Sequence, residues 1–495
     1  MTKISPDSLI QSMLKKGENP SLKDPQFSED WDNMTGDKKY DFLSKSYVSS
    51  ENRIFSTKEI EETYKRRAQR WVDVLENRKP DRVPNFILPE GYIAKYAEIS
   101  MKDAWYNSEK VLNSIKTFQK AFNMEYYSMP PFHSGKAFDI LGLNTIKWPG
   151  SAIPEQTLRH GQSYQYVEGE YMLVEEYSRL INDPTEYMLS TYLPRICPNL
   201  KGLSSLYSLA GPTSIPGMFS FLKNIAMEPV KQGFKVLLKA ADQLFCDILP
   251  ALIGNIEITK QYGTPSTIGG TGITPFDIVG DTMRGTRGVI MDMYRCPDKL
   301  LEACKSLTAM AIQMATSELS VGMPPFVLIT LHKGSDNFMS MEQFERFYWP
   351  SYKEFIIGIL DEGMIPINFA EGSYDDRLDF LASKYTNGEL PAGKTAWLFE
   401  KTDMKAAKAK IGKYACIGGN VPVSLFTAAS AKKMEEYCRN LIETCAHDGG
   451  FFLAPGAVIM DAREENFRAY LSSTKKYGVY NTVTQQEDQL LASRF

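Results

Sequence analysis

The chain has 495 residues, 43% of them hydrophobic and 23% charged, with a formal net charge of −4. That is ordinary globular usage, so a disordered chain is excluded, and no segment supplies the clustered basic excess that phosphate neutralisation needs, so nucleic acid is not an expected partner. No apolar run approaches the roughly 20 residues needed to cross a bilayer, and the start, MTKISPDSLIQSMLKKGENP, lacks the apolar stretch of a secretory signal, so no membrane association and a cytoplasmic location are expected.

Residues 1–79 read as a polar arm followed by a charged helix, with Ser56 and Glu59 as a capping box and the helix running through Leu75. KPDRVPNFIL then turns the chain into a first apolar strand, and residues 80–480 are expected to form the main domain, with 481–495 as a tail. From Trp105 to Asp298 the pattern mixes aromatic-rich strands (QSYQYVEGEYMLVEEY), a Gly/Pro stretch (AGPTSIPGMF) and TIGGTGITPFD with helical pieces. TIGGTG lacks both the G-K-[ST] ending and the GxGxxG spacing of phosphate loops and reads as a plain loop.

Beyond Pro297 the chain becomes regular. Apolar strands near 326–331, 364–370, 395–399, 414–417 and 451–454 alternate with helices near 341–362, 375–384, 403–411, 430–447 and 462–477. Ser340 with Gln343 and Asp461 with Glu464 fit helix starts, and Gly363 and Gly449 fit helix stops. Five βα units with room for three more predict a (β/α)8 TIM-type barrel with an N-terminal helical extension; an open doubly wound sheet is the alternative.

In such barrels the chemistry sits where strands end. The residues just past the late strands are His332, Lys333 and Asp336; Glu371 and Tyr374; Glu400 and Asp403; Asn420 after Gly418 and Gly419; and Pro455, Gly456 and Ala457. Glu371 is either a catalytic carboxylate or a solvated partner of Arg377, and His332–Lys333 either a catalytic pair or an ordinary loop pair. Asp403 reads as a helix cap, and Asn420 as a ligand contact or a turn residue. Arg284 and Arg287 in MRGTRG could hold an anion or form a solvated pair. Seven cysteines (Cys197, Cys246, Cys296, Cys304, Cys416, Cys438 and Cys445) without a C-x-x-C pair read as reduced, mostly buried thiols.

PDRVP, GPTSIPG, FERFYWPSYKEFI, NFAEG, TDMKAAKAKIG, GGNVPVSLF, GGFFLAPGAVI and EENFRAY, in order from about residue 60 to 480, together resemble the uroporphyrinogen decarboxylase superfamily. The resemblance implies a (β/α)8 barrel and either porphyrinogen decarboxylation or methyl transfer between corrinoid proteins and thiols. Where the decarboxylases carry an arginine-rich motif this chain reads LPEGY, with Glu90 and Tyr92, and their late histidine falls on Ala457. The zinc His-x-Cys of the methyltransferases falls on Phe369, Ala370 and Glu371, and their later Cys on Ala457, so zinc is not expected.

The function expected from these departures is transfer of a methyl group between a small methoxy, methylamine or halomethane substrate and the cobalt of a corrinoid (cobalamin) carried by a separate protein. No D-x-H-x-x-G segment is present to hold the corrinoid on this chain. Glu371 and His332 are the expected acid pair, with Glu90, Tyr92, Tyr374, Asn420, Lys333, Arg284 and Arg287 as substrate contacts. A decarboxylase or other lyase acting on a small carboxylic acid, clamped by Arg284, Arg287 or Lys333, is the alternative, and a non-catalytic binding protein is the third reading.

Overall fold

The computed structural model describes residues 31–49, 53–126, 133–159, 161–206, 211–317, 319 and 322–480; the start and the expected tail lie outside them. Six strands form one parallel sheet in sequence order: β4 (Gly270–Ile273), β5 (Phe326–Leu331), β6 (Ile365–Ala370), β7 (Ala396–Phe399), β8 (Cys416–Val421) and β9 (Phe451–Pro455). Three short strands precede them: β1 (Ile146–Pro149), β2 (Thr157–Leu158) and β3 (Gln165–Tyr166), with β1 in the middle. Residues 83–87 continue the large sheet, since Asn85 bridges Leu453 in parallel and Phe86 N–H donates to Leu453 O at 2.8 Å. That stretch is the first stave, Tyr126 packs into the interior the staves enclose, and the architecture is an α/β barrel of the TIM type.

The late strands are buried on both faces, as parallel strands covered by helices must be. Their alternation sorts side chains into two packed groups. Phe326, Leu328, Ile367, Phe369, Leu398, Phe452 and Ala454 fill the inside with Phe86 and Tyr126. Val327, Ile329, Leu331, Ala370, Phe399, Ile417 and Leu453 face the helical shell.

One end of this interior is plugged by the N-terminal helices Gly36–Val48 and Lys58–Leu75. Trp71 stacks on Phe86 at 5.8 Å and donates to Thr267 O at 2.9 Å, while Tyr47 meets Phe326 edge-on at 6.0 Å. The arm therefore contributes to the barrel's own core rather than lying outside it. Among the described residues no helix is long and apolar enough to cross a membrane.

The late βα units stand where the sequence places them, and the capping box at Ser340–Gln343 and the cap at Asp403 are present. Three local expectations are corrected. Thr57, not Ser56, caps its helix by accepting from Ile60 N–H, while Ser56 bonds Lys260 O. Asp461 pairs with Lys95, and the last helix starts behind Arg463 without a side-chain cap. Two glycines of TIGGTG, Gly270 and Gly272, belong to β4, a barrel strand: a Cβ on Gly270 would lie 2.2 Å from Ala315 O, and one on Gly272 2.9 Å from the Phe355 ring, so glycine lets the shell close on this stave. In the middle of the chain QSYQY makes only a two-residue strand, and a 35-residue helix, Glu228–Tyr262, dominates.

Gly418 gives a test of the packed interior, because a Cβ there would fall 2.1 Å from the ring of Phe452, which is fully buried. Gly418→Ala is expected to lower unfolding stability by about 1–3 kcal/mol through overpacking, read as a lower denaturant midpoint at unchanged slope.

Candidate active site at the barrel mouth

The register of the sheet sets the site. Leu331 lies opposite Ala370 and Ala370 opposite Phe399, all three facing the shell. The next residue on each strand, His332, Glu371 and Glu400, therefore occupies one tier and turns inward, because side chains alternate with a period of two. Leu398 pairs with Gly418, which brings Asn420 to the same level as Glu400. On the first stave Phe86 and Leu88 face inward, and Glu90 is the next residue of that series.

His332 is the centre of this tier. Its Nδ1 hydrogen-bonds Asp281, and its Nε2 lies 3.8 Å from Glu371 Oε1, too far for a hydrogen bond. His332 and Glu371 are 34% and 39% exposed, so a ligand entering the mouth reaches both. Asp281 also takes Lys333 Nζ at 2.9 Å, and Lys333 donates to Thr286 at 2.9 Å. Beneath them Asp277, fully buried, accepts the backbone N–H of His332 at 3.2 Å and of Lys333 at 2.8 Å, and the Tyr348 hydroxyl at 2.7 Å.

These contacts set the charges. Burial works against a charged His332, but Asp281, Asp277 and Glu371 outweigh it and raise its pKa to about 9. Burial also acts on Asp281, which His332 and Lys333 nonetheless hold below the usual carboxylate range. Asp277 is pushed up to about 6, first by burial and then by Asp281. Glu371 is raised by burial, with His332 pulling it back and Glu400 pushing it further up.

A second wall faces this tier. Glu90 lies 3.7 Å from His133 Nε2, the His133 ring stacks on Trp105 at 4.5 Å, and Tyr164 meets that ring edge-on at 5.1 Å. Tyr164 and Tyr166 are 5.6 Å apart, and burial raises both hydroxyls, helped by Glu90 and Glu371 and, ahead of these at Tyr166, by Asp281.

Glu371, His332, Lys333 and Glu90 are thus brought together, and other expected contacts are not. Tyr92 is 3% exposed and packs against Phe118 and Phe467 at 5.5 and 5.2 Å, inside the apolar core. Tyr374 is fully buried, its N–H bonded to Thr402 and its hydroxyl 3.5 Å from Leu331 O. Arg284 is buried and committed to Asp292 at 2.6 Å, to Glu170 and to Met172 O. Arg287 is exposed and has no hydrogen bond or ion pair among the described residues. Arg377 binds Asp336 and backbone carbonyls rather than Glu371. Asn420 donates to Thr402 O at 2.8 Å and lines a cavity of about 410 Å³ with Glu400, Lys401, Tyr437 and Ala457.

Asp277, Asp281, His133 and Tyr164 were not singled out by the sequence. The signal for the aspartates was D-x-x-x-D directly after a Thr-Pro helix start, legible only once GTGI is read as a strand. Among the described residues no group of three or more His, Cys, Asp or Glu side chains is arranged to hold a metal. The donor set at the strand ends is carboxylate and imidazole, and Ala457 offers no ligand, which does not fit a zinc–thiolate centre.

The family profile described as uroporphyrinogen decarboxylase (URO-D) matches residues 227–477. Among solved structures, a methyltransferase from Methanosarcina mazei is similar at 14% identity and a TM-score of 0.52, over 84% of this chain and 98% of that one. A B12-independent methionine synthase from Shewanella sp. W3-18-1 aligns over 50% of this chain and 67% of its own, at 10% identity and a TM-score of 0.31. No curated protein matches the chain.

The His332 environment has a pH signature. Its folded pKa of about 9 lies above the ordinary 6.5, so the stability it confers is fully present below about 6.5 and is lost as pH rises through 9. An NMR titration of the imidazole should show a midpoint near 9, and Asp281→Asn should bring that midpoint down by a unit or more.

Proposed function

Since the chain belongs to the uroporphyrinogen decarboxylase (URO-D) family, we propose that it is a methyltransferase, moving a methyl group between a small donor and the cobalt of a corrinoid on a separate protein that docks over the barrel mouth. The observation that carries this reading is the chemistry of the cup: a charged imidazole between two carboxylates, and no arginine committed to it.

A polycarboxylate substrate needs fixed counter-charges. Here Arg284 is held by Asp292 and Glu170, and Lys333 by Asp281. The lyase alternative is left with Arg287 alone, exposed on the helix Gly285–Arg295. An acid pair suits methyl transfer, because the atom losing its methyl group keeps the bonding electron pair and needs a proton if it is a poor leaving group.

Asp281 holds Nδ1 as an N–H donor, leaving Nε2–H of His332 aimed across the 3.8 Å gap to Glu371. A methoxy oxygen or amine nitrogen seated beside the pair, within hydrogen-bond reach of the ring, receives its proton from Nε2. Glu371, raised in pKa on the far side, holds the donor in line and passes a proton back to the ring. A halomethane needs no proton, and the same groups then only shape the cup.

With reduced cobalamin and a methoxy donor, His332→Gln and Glu371→Gln are each expected to slow methyl transfer by about 10²–10⁴ with folding unchanged. The cobalt absorption spectrum follows the reaction. Near-normal turnover in both variants would remove the pair from the mechanism, and carbon dioxide release from a screened acid would favour the lyase.

A further inference from the structure

We infer that the methyl donor of this cup is a methylated ammonium cation, its charged head held by Glu90 against the His133 and Tyr164 rings and facing Glu371. The inference rests on the methyl-transfer reading and adds the donor's class.

Glu90 is the first reason. Its side chain is 7% exposed and has no hydrogen bond among the described residues, with His133 Nε2 3.7 Å away. That nitrogen is itself sealed from solvent without a hydrogen-bond partner. A carboxylate taken out of water without donors is costly unless a cation joins it.

The second reason is the wall. His133 and Tyr164 meet edge-on at 5.1 Å, with the buried Trp105 stacked behind His133 at 4.5 Å, and an aromatic surface beside a carboxylate is the recognition chemistry of alkylated ammonium groups. Charge pairing is the third. Asp281 and Asp277 answer His332 and Lys333, and Glu400 takes the Gly372 N–H at 2.7 Å with Lys401 at 3.5 Å. Glu90 and Glu371 are the carboxylates left facing the cup without a fixed lysine or arginine.

The transfer then balances simply. As the methyl carbon passes to the partner's reduced cobalt, whose electron pair forms the new bond, the C–N pair withdraws onto nitrogen. A neutral amine is left and takes the proton from His332 Nε2.

Calorimetry on the intact chain tests this with choline and tetramethylammonium against 3,3-dimethylbutan-1-ol, the uncharged match of choline. Both cations should bind, choline at least tenfold tighter than the alcohol. Glu90→Gln should cost choline tenfold or more and leave the alcohol unchanged. Equal binding of choline and alcohol by the wild-type chain, or absence of cation binding, overturns the inference whether or not the variant folds. Unchanged choline affinity in folded Glu90→Gln does so too. Methyl transfer from a methoxy donor without cation binding would sink this inference alone, whereas cation binding without transfer from any donor would sink only the methyl-transfer reading.

Discussion

Asp277 holds the mouth of this barrel in shape. Its carboxylate accepts the backbone N–H groups of His332 and Lys333, the Tyr348 hydroxyl and the Thr274 hydroxyl, all inside the protein. It thereby ties the turn after β5 to the turn after β4. Asp281, four residues on, is carried to His332 by the same stretch of chain. Every later property of the site follows: the fixed Nδ1, the free Nε2, the position of Lys333 and the charge of the ring. A buried carboxylate is a costly anchor, and Asp277 is pushed up to about 6 by its surroundings. Four donors are what make it tolerable.

The two ends of the barrel divide the labour. Below, Trp71, Phe86 and Phe452 close the interior with stacked and edge-on rings, at centroid separations of 5.4–6.0 Å. Above, one register position on successive strands turns from aliphatic to ionisable. Charges gathered over so apolar a floor interact more strongly than they would in water. That is why His332 and Glu371 are both displaced from their ordinary titration ranges, and perturbed groups in a recess are where chemistry is expected.

How much of this was legible in the sequence depended on how local the signal was. The late βα units declare themselves by β-branched runs, caps and glycine stops, and the inward turn of His332 and Glu371 follows from strand ends alone. β4 hid because the positions that let it pack, Gly270 and Gly272, carry no side chain to show a pattern; with it went Asp277 and Asp281. Arg284 and Tyr92 sit near the right sequence positions, but their partners are remote: Glu170 lies 114 residues from Arg284, and Phe467 closes over Tyr92 from the far end of the chain. Burial of that kind is a tertiary fact that spacing does not encode. Glu90 was found because LPEGY stands where the resemblance places an arginine-rich motif; its aromatic company was not, since Trp105, His133 and Tyr164 come from three separate segments.

Glu371 and Glu90 face the same physical problem, a negative charge in a cup short of fixed cations, and meet it differently. Glu371 has the charged His332 ring 3.8 Å away, which offsets its charge without any ligand. Among the described residues Glu90 has no hydrogen bond, with His133 Nε2 3.7 Å away, so on the proposed reading the entering cation completes its pairing. A cationic donor thus binds to one wall while the proton waits on the other. When the methyl group leaves, the positive charge on nitrogen disappears and the His332 proton restores it on the amine. On that reading His332 recovers its proton through Glu371, which at 39% exposure is open to water, and the cup returns to the charge state that draws the next cation in.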